Sequence, residues 1–126
     1  QVASTELFEN ARGDYMTGNY ALAIQGFTTY LNSSPQAANA PLALYYIGEA
    51  YRQDRKPDEA LAAYDRLIAE HQTSEQIPNA RVRRAEVLSE LGRVKEARAE
   101  YETVIKDSPD TDAATIAKQR LAALGR

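Results

Sequence analysis

One spacing constrains this chain more than anything else in it. Ala23 and Phe27, Ala60 and Tyr64, and Ala97 and Tyr101 each set a small residue four places before an aromatic one, and each pair follows the last by 37 residues. Other columns keep the same interval: Leu31, Ile68 and Ile105; Ala11, Gly48 and Ala85; Glu59 and Glu96. Gly18 and Gly92 stand two intervals apart. A fixed period of this length, with small and aromatic residues one helical turn apart, marks stacked helical hairpins. One hairpin is too small to bury its own apolar face, so it must lean on the next. The interval therefore predicts an all-α stack and an extended surface that holds other molecules.

Apolar positions recur three to four apart throughout, and no stretch alternates in the manner of a strand. Helices are expected from Ser4 or Thr5 to Met16, Tyr20 to Leu31, Leu42 to Arg52, and from Lys56-Pro57-Asp58 to Glu70 or His71. Three more are expected over Ile77 to Leu91, Val94 to Lys106 and Asp112 to Leu124. The stops are chemical. Gly18-Asn19 is a turn, Asn32-Ser33-Ser34-Pro35 and Asp107-Ser108-Pro109 end helices, and Gly92 suits a left-handed cap. Proline at 57 is tolerated in a first turn, and Thr111 or Asp112 can cap the last helix. That seventh helix has no partner, as expected of a cap over the final hairpin. With no linker, low-complexity segment or change of composition, the chain reads as one domain over residues 1–126.

The small columns have a physical cause. Where the two helices of a hairpin cross closely, side chains at the crossing must be small. Ala11, Gly48 and Ala85 should thus meet Ala23, Ala60 and Ala97, with Phe27, Tyr64 and Tyr101 filling the space one turn on. A helical glycine costs about 1 kcal/mol relative to alanine, so Gly48 implies a close approach.

Composition excludes several chemistries. The net charge of −3 gives no footprint for nucleic acid or anionic lipid. No apolar run nears the roughly 18 residues of a membrane span. The absence of cysteine removes disulfides, zinc–thiolate sites, thiol nucleophiles and any lipid-bearing cysteine within these residues. Gln1 does not open a basic-then-apolar signal segment, although a chain can begin after a removed one. His71 is the sole histidine and sits at a helix end, where imidazole suits the dipole. Asp110-Thr111-Asp112 starts like a calcium loop but lacks the glycine and glutamate that complete one, so it reads as a cap. No phosphate-cradling glycine loop or nucleophile motif occurs. The expectation is no enzyme, no cofactor and no metal site.

These columns resemble the tetratricopeptide repeat: small at the eighth position, glycine near the fifteenth, alanine at the twentieth, an aromatic at the twenty-fourth and proline at the thirty-second. Three units match, over residues 4–36, 41–73 and 78–109, with a capping helix over 112–124. The resemblance implies a right-handed superhelix of three hairpins plus that cap. The usual period is about 34; here extra residues lie between hairpins, as in Pro35-Gln-Ala-Ala-Asn-Ala-Pro41. That longer spacing resembles the periplasmic branch of the family, and within it the C-terminal repeat domains of the Tol-Pal-associated YbgF (CpoB) family. Gly18-Asn-Tyr-Ala-Leu-Ala-Ile-Gln-Gly-Phe27, Ala40-Pro-Leu-Ala-Leu-Tyr-Tyr-Ile-Gly-Glu-Ala-Tyr51 and Ala113-Ala-Thr-Ile-Ala-Lys-Gln-Arg-Leu121 carry the likeness. It implies a periplasmic location, TolA and a peptidoglycan synthase as partners, and a role joining cell-wall synthesis to outer-membrane constriction. Full-length relatives of that kind trimerise through an N-terminal coiled coil, which these residues do not include. Three departures stand out: Arg55 replaces the turn glycine, Gln72 replaces the closing proline, and Arg81 and Arg84 sit where leucine-like residues usually pack.

In such repeats the first helix of each hairpin lines a concave groove. Carried onto this sequence, the groove positions are Thr5, Phe8, Arg12, Tyr15 and Met16; Leu42, Tyr45, Glu49, Arg52 and Gln53; and Asn79, Val82, Glu86, Ser89 and Glu90. The resemblance implies an aromatic end at Phe8, Tyr15, Met16 and Tyr45 and an acidic end at Glu49, Glu86 and Glu90. That pattern suits a partner helix or peptide with an apolar stripe and basic flanks. Packing of Phe8 and Tyr45 between helices is the competing placement. Arg81, Arg83 and Arg84 form the basic cluster, expected to pair on its own helix with Glu86 and Glu90. Two related functions stay open: a scaffold of outer-membrane protein assembly, and the repeat domain of a larger enzyme. A co-chaperone clamp would need lysine and asparagine where Phe8, Arg12, Tyr45 and Glu49 stand.

Overall fold

A computed structural model describes residues 2–125, with side-chain surroundings from residue 4 onward. The ends of the expected domain, residues 1 and 126, lie outside the described residues. Seven helices follow in order: α1 (Val2–Met16), α2 (Tyr20–Ser33), α3 (Ala40–Gln53), α4 (Pro57–Glu70), α5 (Ile77–Glu90), α6 (Val94–Asp107) and α7 (Asp112–Leu124). No strand occurs among the described residues. Expected and observed boundaries agree to within about two residues. Consecutive helices pack on one another along the whole chain. The odd helices also touch in sequence, α1 with α3, α3 with α5 and α5 with α7, whereas α2 and α4, or α4 and α6, do not meet. The odd layer is therefore the compressed one, and the stack curves around it. Concave wall and groove positions thus belong to α1, α3, α5 and α7.

The repeating columns form the core. Ala23, Ala60 and Ala97 are fully buried, as are Phe27 and Tyr64, with Tyr101 all but so. A methyl group on Gly48 would sit 2.5 Å from the Tyr64 ring, so only glycine lets that ring lie across α3. The close neighbour of Gly48 is thus an aromatic edge, not the alanine expected from the spacing. Hairpin 1 distributes the same space differently: Gly26 lies opposite Ala11, where an added carbon would come within 2.9 Å of the Ala11 methyl.

Turns and caps follow their residues. Gly18 and Gly92 take φ of 83° and 82°, and Arg55 occupies the same left-handed region at 63°. Thr111 caps α7 by accepting from the Ala114 N–H at 3.1 Å, so the Asp-Thr-Asp segment is a helix start. Arg81 and Arg84 do not pack as leucines do. Both point at Glu100 of α6, with Nη1 contacts of 3.0 and 3.3 Å to its two oxygens, and Arg84 also binds Asp65 of α4. Glu100 is 8% exposed. The basic cluster expected on α5 is therefore split: Arg81 and Arg84 serve the packing with α4 and α6, and Arg83 alone turns to the concave side. None of the described helices is long and apolar enough to cross a membrane.

Candidate functional site

The concave wall changes character along its length. Toward α1 it is aromatic. Tyr15 packs 5.3 Å from Tyr46 and 5.8 Å from Tyr20, and Tyr45 lies 6.3 Å from both Tyr46 and Tyr64, measured between ring centres. Tyr15, Tyr20, Tyr45 and Tyr46 are half-buried, so each keeps a face or edge in water. Met16 beside them is exposed. Burial lifts the Tyr15 phenol to about 12, with the Glu49 charge adding to it. The same two causes raise Tyr45. Tyr15 and Tyr45 therefore stay neutral across the physiological range, and all four rings offer apolar area with a hydroxyl at one edge.

Toward α7 the wall is ionic. Glu49 of α3 and Glu86 of α5 are 37 residues apart, and so are Arg83 of α5 and Arg120 of α7. Each arginine reaches back to the glutamate of the preceding odd helix: Arg83 Nε to Glu49 at 3.4 Å and Arg120 Nε to Glu86 at 3.2 Å. The period thus builds one ion pair twice. Further bonds knit the pairs together. The Tyr64 hydroxyl donates to Glu49 from beneath α3, Arg83 donates to the Tyr45 hydroxyl at 3.2 Å, and Arg52 reaches Glu86 at 3.1 Å and Glu90 at 3.0 Å. Arg83 also closes on Glu86 at 3.1 Å within its own helix, as expected from their spacing. Burial would lower the Arg83 pKa, but Tyr45, Glu49 and Glu86 outweigh it and hold the guanidinium charged. No buried side-chain polar atom among the described residues lacks a partner.

Several sequence expectations change here. Phe8 and Val82 are core residues, 4% and 2% exposed. Phe8 lies 5.4 Å from Phe27 and 5.3 Å from Tyr30, between the helices and not in the groove. The acidic end does not form. Glu49 and Glu86 are buried under arginines, and only Glu90 stays exposed, held by Arg52. Arg12 is exposed and paired with Glu9 at 2.8 Å. Tyr15, Tyr45 and Arg52 are part-exposed on α1 and α3, and Met16 is exposed at the end of α1. Three members of the site went unread in the sequence, namely Tyr46, Tyr64 and Arg120. The signal for Arg120 was present: its 37-residue offset from Arg83 matches that of Glu86 from Glu49. Two clefts of about 750 and 810 Å³ open elsewhere, among the loops that join the hairpins. No group of three or more potential ligands among the described residues is placed to hold a metal ion.

A family model described as a tetratricopeptide repeat-like domain matches residues 10–125. The chain belongs to that family. No curated protein sequence matches it. Among solved structures, a tetratricopeptide repeat protein from Parabacteroides merdae superposes with a TM-score of 0.84 at 21% identity, over 98% of this chain and 46% of that one. The first repeat domain of Spaghetti (RPAP3), bound to an HSP90 peptide, gives 0.79 at 21% identity, over 96% and 89%. PcrH in complex with the chaperone-binding region of PopB gives 0.77 at 14% identity, over 98% and 95%. At these identities the likeness is one of fold. Tetratricopeptide domains of this kind are protein-interaction modules, and that coarse reading holds for this chain.

Proposed function

We propose that this chain is a non-enzymatic docking module of the Tol-Pal cell-envelope system. It works in the periplasm, where it binds TolA and a peptidoglycan synthase and helps couple peptidoglycan synthesis to outer-membrane constriction at division. The docking half of this reading is carried by one observation. The odd-helix layer carries three half-buried tyrosines, Tyr15, Tyr45 and Tyr46, and the exposed Met16 beside a fixed ionic lattice, and no buried side-chain polar atom among the described residues lacks a partner. Partly exposed tyrosines are rigid and amphipathic, which suits them to anchor a partner segment. That RPAP3 domains are seen with HSP90 and HSP70 peptides, and PcrH with a PopB segment, supports protein partners in general. The pathway rests on the 37-residue period and on the stretches 18–27, 40–51 and 113–121 that resemble the Tol-Pal-associated branch.

A pull-down from Gram-negative envelope extract tests both halves, using the wild-type domain and a Tyr15→Ala/Tyr45→Ala variant. The proposal expects TolA with the wild type and much less with the variant. Absence of TolA from both removes the pathway. Equal capture by both removes the concave wall and leaves the pathway standing.

A further inference from the structure

On the concave wall, both oxygens of each buried carboxylate are engaged, while guanidinium donors are left over. Glu49 receives the Tyr64 hydroxyl on one oxygen and Arg83 Nε on the other. Glu86 receives Arg52 and Arg83 on one oxygen and Arg120 on the other. Both carboxylates are nearly sealed from solvent, with side chains 11% and 8% exposed. Their arginines are not: the Arg83 side chain is 34% exposed and that of Arg120 is 53% exposed. Only Nε of Arg120, and Nε and Nη1 of Arg83, have acceptors among the described residues. Three guanidinium NH2 groups, two on Arg120 and one on Arg83, therefore have no acceptor among the described residues. Glu90 is the exposed carboxylate nearby, and Arg52 holds it at 3.0 Å.

We infer that the groove takes an acidic segment of a partner protein, in which an Asp or Glu carboxylate seats on Arg83 and Arg120. An adjoining aliphatic or aromatic side chain then lies on Tyr45 and Tyr15. The two subsites are continuous, because the Tyr45 hydroxyl accepts from Arg83 itself. A planar guanidinium with paired N–H groups matches a carboxylate better than any neutral acceptor. The partner's charge is thus opposite to the one implied by counting glutamates along the sequence. This inference rests on the concave wall being the docking face and adds the chemistry of what docks there.

Selection from a phage-displayed library of random twelve-residue peptides tests it without presuming a ligand. The enriched peptides are expected to carry net negative charge together with Leu, Ile, Phe or Tyr. For one such synthetic peptide, Arg120→Gln should weaken binding about tenfold or more in calorimetry, with a shallower dependence on salt. Arg120 is half-exposed, so this variant should keep the wild-type circular dichroism; Arg83→Lys, which keeps the charge but loses the fork, should show a smaller loss. Enrichment of basic or uncharged peptides that Tyr15→Ala/Tyr45→Ala abolishes would overturn the acidic partner and leave the docking face intact. No enrichment, or acidic peptides that bind every variant equally, would overturn both.

Discussion

Hairpins 2 and 3 hold equivalent packing positions with opposite chemistry. Between α3 and α4 these positions carry Leu44, Ile47 and Ala63, all buried. One period later, between α5 and α6, the same three positions carry Arg81, Arg84 and Glu100. Two apolar chains beside a small residue become two guanidiniums closed on one carboxylate. The third change makes the first two tolerable: without Glu100 in the place of alanine, Arg81 and Arg84 would have no buried acceptor. Elsewhere the hairpins also diverge as sets. Gly48 with Tyr64 reaching Glu49 becomes Ala85 with Tyr101, which has no such bond, and Arg55 at the turn becomes Gly92. A repeat's fold thus constrains sums of neighbouring residues more tightly than single residues.

The largest effect should come from breaking the ionic set in hairpin 3. Glu100→Ala strands the part-buried Arg81 guanidinium and leaves Arg84 only Asp65, and should destabilise the fold by about 3 kcal/mol, read from urea unfolding. Installing the hairpin 2 solution whole, as Arg81→Leu/Arg84→Ile/Glu100→Ala, should be neutral or should stabilise by about 1–4 kcal/mol. If the triple variant is as damaged as the single one, the two sets are not interchangeable and the comparison fails.

Next in size is the Gly48 contact. Gly48→Ala puts a methyl group into the Tyr64 ring and should cost about 1–3 kcal/mol by overpacking. The displaced ring also withdraws its hydroxyl from Glu49, so the variant should disturb the concave wall as well as the core. In hairpin 3 the matching change, Ala85→Gly, should cost only about 1 kcal/mol, as a helical glycine does. Equal costs at the two positions would mean that the Tyr64 ring has room to move.

The two tyrosines of that column should also titrate apart. Burial, then the Glu86 charge, lifts Tyr101 to about 12, while burial, Glu49 and its hydrogen bond carry Tyr64 higher still. Eight tyrosines and no tryptophan make the ultraviolet signal of phenolate clean. Raised folded-state values mean that native Tyr15, Tyr64 and Tyr101 stay protonated while their unfolded counterparts ionise near 10. Stability present below pH 10 should therefore fall as pH rises toward 12. Tyr64→Phe should remove the slowest-ionising part of the signal. Loss of signal near pH 10 in that variant would instead place the hydroxyl in water.

The fold was legible because its determinants are local or periodic. Helix ends follow from Gly92, Pro57 and Thr111, and the core follows from the 37-residue columns. The site was legible only in part. Spacing places Phe8 and Val82 on the first helices of their hairpins but does not say on which side of those helices the next hairpin closes. Neighbours contributed by α2 and α3 draw Phe8 inward. Glu49 looked solvent-facing because the hydroxyl that buries it comes from Tyr64, a residue the repeat explains fully as core. Its other partner, Arg83, lies 34 residues away on the next odd helix. Such pairs surface only when charged columns are read at the repeat interval, as the apolar ones were.

The smallest effect concerns the turns. Gly92 and Arg55 adopt nearly the same left-handed φ, 82° against 63°, yet only glycine does so without a clash between Cβ and the backbone. Gly92→Ala introduces that clash and should cost about 1 kcal/mol. Arg55→Gly removes it, but also frees the unfolded chain, which offsets part of the gain. The net should be a stabilisation of about 0.5 kcal/mol or less, visible as a small rise in melting temperature. A loss of stability instead would show that the Arg55 side chain has a job at the turn. Arg55 lines a small hollow with Arg52, Pro57, Glu90 and Leu91, where hairpins 2 and 3 meet. Arg55→Ala separates the two causes: it keeps the backbone strain and drops the side chain, so it should fall below the wild type only if that hollow needs arginine.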